Sequence, residues 1–259
     1  MKDCELTILR NERVADGIYE MLLTRPEGVS PKGAQFVHIE LKDGSRILRR
    51  PFCICDCDEE GLLVCYALVG AGTRELASYK VGEKVKAALP LGNGWDADAF
   101  RSPVLLGGGM GSAVLPLVAR LAKKAKPTAY LGFSDKSKIV LQGRMSGLCP
   151  TVVCTDNGSA GRKGYVTEIL AQDVKSGAIK PDAIFCCGPE IVYKLLAAEE
   201  AFADIPVFVS LEKRMGCGVG ACLGCVTRTT EEWPVADKRN GLVQTCNHGP
   251  VFWANQIEL

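Results

Sequence analysis

The chain has 259 residues, enough for one large domain or two ordinary ones with real cores. Its 31 Lys+Arg against 30 Asp+Glu give a formal charge of +1, which argues against a nucleic-acid or membrane partner held by bulk charge. At 47% hydrophobic residues with 28 glycines, the composition is that of a soluble, turn-rich globular protein rather than a disordered one.

Met1-Lys2-Asp3 opens without the apolar core of a signal peptide, so a cytoplasmic protein is expected. Short strands then alternate with turns: Glu5–Leu9, Ile18–Leu23, Gln35–Leu41, Arg50–Cys55, Leu62–Leu68 and Val85–Leu89, with Gly17, Gly33, Gly44, Gly61 and Gly82 between them. This spacing predicts an antiparallel barrel or sandwich. Arg50-Pro51-Phe52-Cys53 enters one of these strands. An arginine neutralises a cofactor diphosphate, and an aromatic two residues later lies on the same strand face, where it covers a flat ring. Edge packing explains the same residues without a ligand. Cys65-Tyr66-Ala67 closes another strand, and Gly70-Ala71-Gly72-Thr73 turns into a helix start that presents N–H groups to an anion such as pyrophosphate.

Past the breaker cluster Pro90-Leu91-Gly92-Asn93-Gly94 the texture changes. Pro103–Leu106, Thr128–Phe133, Thr151–Thr155, Ala183–Cys187 and Val207–Leu211 read as apolar strands. Helix-like segments at Ala113–Ala125, Val166–Ala171 and Glu190–Phe202 lie between them. This alternation predicts a parallel, doubly wound sheet. The uncharged run Ser102–Ala119 has borderline length for a membrane span, but its glycines and prolines make it a strand, a turn and a helix start. Gly107-Gly108-Gly109-Met110-Gly111 therefore sits where a dinucleotide site requires, after a strand and before a helix. It departs from G-x-G-x-x-G, since Ser112 takes the last glycine position, and no acidic residue stands at a clear strand end about 20 residues on. A plain tight turn remains the competing reading. Cys187-Gly188-Pro189 ends another strand at the same carboxyl edge.

Of 13 cysteines, Cys217, Cys222, Cys225 and Cys246 form C-x4-C-x2-C…C, the plant-type spacing for a [2Fe–2S] cluster. Two irons and two sulfides need four thiolates from different directions, and Gly216, Gly218, Gly220 and Gly224 let the backbone wrap the core with N–H groups toward sulfur. The alternative, structural zinc, prefers two cysteine pairs joined by a spacer. The other cysteines (4, 53, 55, 57, 65, 149, 154, 186 and 187) read mostly as small core residues, and the odd total argues against a disulfide framework. Boundaries near 100 and 212 give three modules: 1–100, 101–212 and 213–259.

Arg50-Pro-Phe-Cys53, Gly72-Thr73, Gly107–Gly111 and Cys187-Gly-Pro189 follow one another in the order of the ferredoxin-reductase superfamily. With Ser210-Leu-Glu-Lys-Arg-Met running into the cysteines and Cys246-Asn-His-Gly-Pro-Val-Phe252 after them, the whole chain resembles the electron-transfer subunits of class B dihydroorotate dehydrogenases. The resemblance implies an FAD-binding barrel at 1–100, an NAD-binding α/β domain at 101–212 and a [2Fe–2S] module at 213–259. It implies that Arg50, Pro51, Phe52 and Cys53 contact FAD, that the backbone of Cys65, Tyr66 and Ala67 borders it, and that Gly72 and Thr73 cradle its diphosphate. Gly107, Gly108, Gly109, Met110 and Gly111 with Cys187, Gly188 and Pro189 are implied to dock NAD. The chain departs from the family at Cys53, where serine is usual, and in Ala113-Val-Leu-Pro116, where the proline is displaced. The spacer before Cys246 is long, so Thr227–Thr245 is expected to form an extra hairpin.

The implied function is that of an NAD-linked flavin and iron–sulfur oxidoreductase subunit in pyrimidine biosynthesis. An FMN-containing catalytic subunit oxidises dihydroorotate, electrons pass through [2Fe–2S] to FAD, and a hydride passes to NAD. Two copies of each chain are implied. No acid–base side chain is needed, in line with only His38 and His248, and His248 is expected to pack over the cluster loop. The cluster loop is expected at the subunit interface, with Leu223 on it and Val219, Val251, Phe252 and Trp253 as possible extensions. The competing readings are a related reductase subunit feeding ferredoxin, and a zinc-stapled binding module without flavin.

Overall fold

The computed structural model describes every residue except Ser45 and 235–240. Alternating apolar residues build the first sheet from β1 (Lys2–Ala15), β2 (Ile18–Leu23), β3 (Phe36–Ile39), β4 (Arg50–Cys53), β5 (Asp56–Cys57), β6 (Leu62–Ala67) and β7 (Lys84–Leu91). Every neighbouring pair is antiparallel, in the order β4-β3-β7-β1-β2-β6-β5. β1 runs well past the expected Glu5–Leu9 because register shifts at Ile8/Arg10 and Arg13/Ala15 bend it. Its first half pairs with β7 and its second with β2, which curls the sheet into a half-barrel around Leu6, Ile8, Met21, Ile39, Leu62 and Leu89. Helix α1 (Ala71–Ser78) follows β6, as the glycine-rich turn predicts.

The second sheet contains β8 (Val104–Gly108), β9 (Thr128–Phe133), β10 (Thr151–Thr155), β11 (Arg162–Lys163), β12 (Ile184–Cys187) and β13 (Val207–Ser210), all parallel, in the order β11-β10-β9-β8-β12-β13. The order reverses between β8 and β12, so the carboxyl ends of these two strands open the crevice where doubly wound sheets bind ligands. Helices α2 (Leu115–Leu121), α3 (Gln142–Ser146), α4 (Val166–Lys175) and α5 (Glu190–Ala198) accompany the strands. The helix expected over Ala113–Ala125 is shorter. Gly109–Val114 is a 3₁₀ turn, and α2 stops at Leu121 because Asp98 captures the N–H groups of Lys123, Lys124 and Ala125 at 3.1, 2.8 and 2.9 Å. Glu190–Phe202 likewise divides into α5 and a 3₁₀ turn at Glu200–Phe202.

The tail forms a small hairpin of β14 (Val226–Arg228) and β15 (Leu242–Gln244), so the expected extra hairpin is present, with 235–240 outside the described residues. The chain then returns as β16 (Val251–Trp253), antiparallel to β13 on the edge of the second sheet. Val251 and Phe252 thereby pack inward, 6% and 2% exposed, instead of extending a surface with Leu223. Two polar contacts tie these parts together. Asp56 on β5 is held by Arg120 of α2 and Arg144 of α3, and Asn93 after β7 binds the backbone at His248 and Val251.

Candidate functional site

A first cleft of about 290 Å³ lies where the half-barrel faces the second sheet. Pro51, Phe52 and Cys53 of β4 and Cys65, Tyr66 and Ala67 of β6 line it, with Thr73 at one end. Phe52 and Tyr66 pack with ring centroids 5.6 Å apart, and Asn11 holds the Tyr66 hydroxyl at 2.8 Å, so this wall is fixed. Arg50 and Gly72 meet beside it. A Cβ on Gly72 would lie 2.9 Å from Arg50 Nε, so the glycine lets the guanidinium rest directly against the start of α1, and a side chain there would displace it. The arrangement leaves a cation next to free helix-start N–H groups, the chemistry of a diphosphate site.

Burial raises the pKa values of several groups in and beside this cleft. Burial pushes the Cys53 thiol up to about 12, with the Glu212 carboxylate adding to it. Burial also raises Cys187 well above the ordinary thiol value, and lifts the Glu212 carboxyl above the usual carboxylate range. These thiols are neutral at physiological pH. Glu212, Phe36, Met215 and Pro250 are lining residues whose place was hidden in the sequence. They come from other elements, and only the fold assembles them.

A second, larger cleft of about 810 Å³ opens over the carboxyl edge of the parallel sheet. Gly108, Gly109, Met110 and Pro189 line it from the crevice between β8 and β12. The turn is tight by necessity: a Cβ on Gly111 would lie 2.2 Å from the Cys187 carbonyl oxygen. Gly107 sits below, where a Cβ would press on Ser112 at 2.6 Å. Gly188 packs on Gly108, so Cys187-Gly188-Pro189 and the glycine turn form one floor. Asp16, Lys138, Asp156 and Tyr165, none of them signalled by a motif, complete the walls. Lys138 Nζ binds both the Asp16 carbonyl and its carboxylate at 3.0 Å, across the rim between the two sheets. Met110 and Ala67 line both clefts, so the two spaces abut.

The four tail cysteines lie on the other side of the first cleft. Cys225 and Cys246, each 2% exposed, pack with Phe36, and Met215 covers the same group. Phe36 and Met215 also line the first cleft. Cys217 is half-buried and Cys222 is exposed. The thiols pair as Cys217 with Cys222 and Cys225 with Cys246, and among the described residues no three metal-ligating side chains converge on a single-ion position. The loop backbone turns its donors to sulfur: Val219, Ala221 and Cys222 N–H reach Cys217 Sγ at 3.4, 3.3 and 3.4 Å, and Gly220 N–H reaches Cys246 Sγ at 3.1 Å. Burial opposes ionisation of Cys217, yet these N–H groups and Cys222 bring its thiol down to about 6. A glycine-rich loop that turns its N–H groups to sulfur and favours thiolate has the donor chemistry that an iron–sulfur cluster needs. Leu223, between ligand positions, has φ +57° and is 54% exposed. His248 accepts the Gln244 N–H at Nδ1 and packs edge-on to Trp233, a supporting role for the loop.

Of the other nine cysteines, Cys55, Cys65, Cys149, Cys154, Cys186 and Cys187 are buried, Cys4, Cys53 and Cys57 are half-buried, and all are free thiols. Among the described residues no helix is long and apolar enough to cross a membrane.

Comparison with known proteins agrees with this geometry. Residues 212–258 match the model of the iron–sulfur cluster binding domain of dihydroorotate dehydrogenase B. The chain is 35% identical over 250 residues to the dihydroorotate dehydrogenase B (NAD(+)) electron transfer subunit of Caldanaerobacter subterraneus subsp. tengcongensis, covering 96% of each chain. It is 34% identical to the subunit of the same name from Streptococcus mutans, over 98% of this chain and 97% of that one. Among solved structures, a chain of an NADH-dependent reduced ferredoxin–NADP oxidoreductase, studied for flavin-based electron bifurcation, superposes with a TM-score of 0.85 at 26% identity, covering 98% of this chain and 89% of that one. With its half-barrel, its doubly wound sheet and its cysteine-rich tail, the chain belongs to the electron transfer subunits of dihydroorotate dehydrogenase B.

Proposed function

We propose that this chain carries electrons from a dihydroorotate-oxidising catalytic subunit to NAD+, through a [2Fe–2S] cluster and FAD held in the sites described. The carrying observation is their continuity. Met110 and Ala67 are shared by the nucleotide and flavin clefts, and Phe36 and Met215 are shared by the flavin cleft and the cysteine group. When bound, FAD, the cluster and NAD supply the redox chemistry, with FAD converting one-electron delivery into hydride transfer.

The protein's part is to bind, orient and exclude water. Arg50, with Gly72 and Thr73, holds the FAD diphosphate. Pro51, Phe52, Cys53, Cys65, Tyr66 and Ala67 enclose its ring. Gly107 to Gly111 and Cys187-Gly188-Pro189 would hold the dinucleotide, with Met110 lining both its cleft and the flavin's. Cys217, Cys222, Cys225 and Cys246 would hold the iron–sulfur cluster, with the loop N–H groups stabilising the thiolates. Residues 1–100, 101–212 and 213–259 are the corresponding flavin, nucleotide and cluster modules. The partner carries FMN, the assembly holds two copies of each chain, and it works in the cytoplasm. The exposed Cys222–Leu223 end of the loop faces the partner.

The test is a visible spectrum of the purified chain before and after NADH, followed by mixing with the catalytic subunit. Flavin and iron–sulfur bands, with dihydroorotate-dependent NAD+ reduction only in the mixture, support the reading. A colourless protein with stoichiometric zinc overturns it. A coloured protein that serves ferredoxin but no dihydroorotate-oxidising partner makes it instead a reductase like the ferredoxin-linked structural relative.

A further inference from the structure

We propose that Tyr193 is a positioning residue for hydride transfer: its hydroxyl ties the floor of the nucleotide cleft to the wall of the flavin cleft and so sets how the two bound rings meet. The inference rests on the cleft readings above and adds to them a residue that touches neither ligand.

Tyr193 lies on the inner face of α5, 3% exposed, and belongs to the core cluster that contains Leu196 and Phe202. Its neighbours Ile191 and Val192 line the larger cleft, but Tyr193 lines neither cleft. Its hydroxyl accepts the Gly188 N–H at 3.1 Å and donates to the Ser210 carbonyl at 2.7 Å. The ladders of β12 end at Cys187, which stands opposite Gly107 of β8 and Ser210 of β13. Ile184 N–H donates to the Pro206 carbonyl at 2.9 Å, and the rungs of a parallel ladder recur every second residue, which brings Gly188 N–H in line with the Ser210 carbonyl. The tyrosine oxygen stands in that last rung and completes it from both sides. Deleting it leaves the rung unpaired or lets the strand ends close on each other, and either outcome moves Gly188 relative to Ser210.

The two ends of this rung belong to different clefts. Gly188 packs on Gly108, where a Cβ would lie 3.2 Å from the Gly108 Cα, and Pro189 beside it lines the nucleotide cleft. Ser210, with Leu211 and Glu212 after it, lines the flavin cleft. The Ser210 hydroxyl in turn hydrogen-bonds the Cys187 side chain, so the ends of β12 and β13 are joined twice. Burial holds the Tyr193 phenol well above the ordinary tyrosine value, so its donor is not lost to ionisation. Transfer between two bound rings depends steeply on their alignment: a misplacement of about 1 Å can lower a rate roughly a hundredfold. A clamp that touches no ligand acts on the rate through that alignment and leaves binding almost unchanged.

The test uses the full chain loaded with FAD, with anaerobic stopped-flow reduction of the flavin over a range of NADH concentrations. In Tyr193→Phe the limiting rate is expected to fall at least about tenfold, while the NADH dissociation constant stays within about threefold of wild type. The long-wavelength charge-transfer absorbance of the mixed complex is expected to weaken in parallel. A purely structural role would lower the urea midpoint and leave both readings unchanged. A limiting rate equal to wild type overturns the proposal, and so does a loss confined to the dissociation constant. Should the phenylalanine variant shed FAD, 4-aminophenylalanine at position 193, a weaker donor on the same ring, gives the same reading: a smaller fall in the limiting rate is expected, and an unchanged rate overturns the proposal. Val192→Trp tests the cleft separately, because Val192 lines it and its Cγ2 lies 3.2 Å from where a Gly108 Cβ would be. The indole is expected to block NADH while FAD absorption stays. If Val192→Trp leaves reduction by NADH untouched, the nucleotide lies elsewhere and the cleft reading falls together with the role of Tyr193.

Discussion

Asp56 and Arg120 join the half-barrel to the nucleotide-binding sheet through a two-point contact, Nε to Oδ1 at 2.5 Å and Nη2 to Oδ2 at 2.7 Å. Arg144 adds a third bond at 2.8 Å, and the Asp56 side chain is 1% exposed. Burial alone would raise the Asp56 pKa, but the two arginines outweigh it and hold it below the usual value. Asp56→Asn is expected to cost about 2–3 kcal/mol, less than a fully buried pair because both arginines are partly in water. A depressed carboxylate pKa stabilises the fold above the unfolded value and loses that contribution as pH falls through the folded one. Urea unfolding of wild type should therefore weaken on acidification below about pH 4, and the asparagine variant should lack that share of the loss.

Asn93 fastens the tail. Its side chain donates to the carbonyls of His248 and Val251 at 2.9 and 2.8 Å and accepts the Val251 N–H at 2.9 Å. At a net ~1 kcal/mol per bond, Asn93→Ala should cost about 2–3 kcal/mol. Iron content after gel filtration should drop in this variant while FAD content holds.

Arg50→Ala should weaken FAD retention, because a guanidinium–diphosphate bond contributes about 1.5–3 kcal/mol, roughly ten- to a hundredfold in affinity. Equilibrium titration of the apoprotein with FAD measures it. Affinity equal to wild type would assign the diphosphate to another residue.

Cys222→Ser should remove iron–sulfur absorption and leave bound FAD, since Cys222 is outside the flavin cleft. NADH should still reduce the flavin while electron exchange with the partner collapses. Unchanged iron per chain would refute the ligand assignment.

Leu223→Glu should leave both cofactors in place, because the side chain is exposed, and weaken the complex with the catalytic subunit. Desolvating an unpaired carboxylate at the interface costs about 2 kcal/mol or more, roughly thirtyfold in affinity. An undiminished heteromeric peak in size-exclusion chromatography would place the interface on another face.

Local signals made much of this protein legible from its residues. Cysteine spacing gave the cluster reading, period-two patterns gave the strands, and glycine positions gave both anion-facing turns. Contacts between distant segments left no such mark. Asp156 escaped because it lines the larger cleft only through the sheet order that sets the end of β10 beside β9. Glu212 stood inside a recognised run of residues, yet only the approach of that run to β4 brings its carboxyl near Cys53. The end of α2 was misjudged because Asp98, far upstream, supplies the stop.

The pairing of Ser210 with Val251 makes the described residues between them an excursion that leaves and re-enters the sheet at one point. Such a segment can open without unzipping the strands that hold the flavin and nucleotide clefts. Loss of iron is then a subglobal event, and damage to the cluster leaves a working NADH-oxidising flavoprotein behind. Native-state hydrogen exchange should show 211–234 and 241–250 opening at a lower free energy than β8, β9 and β12, with the gap narrowing when the cluster is bound.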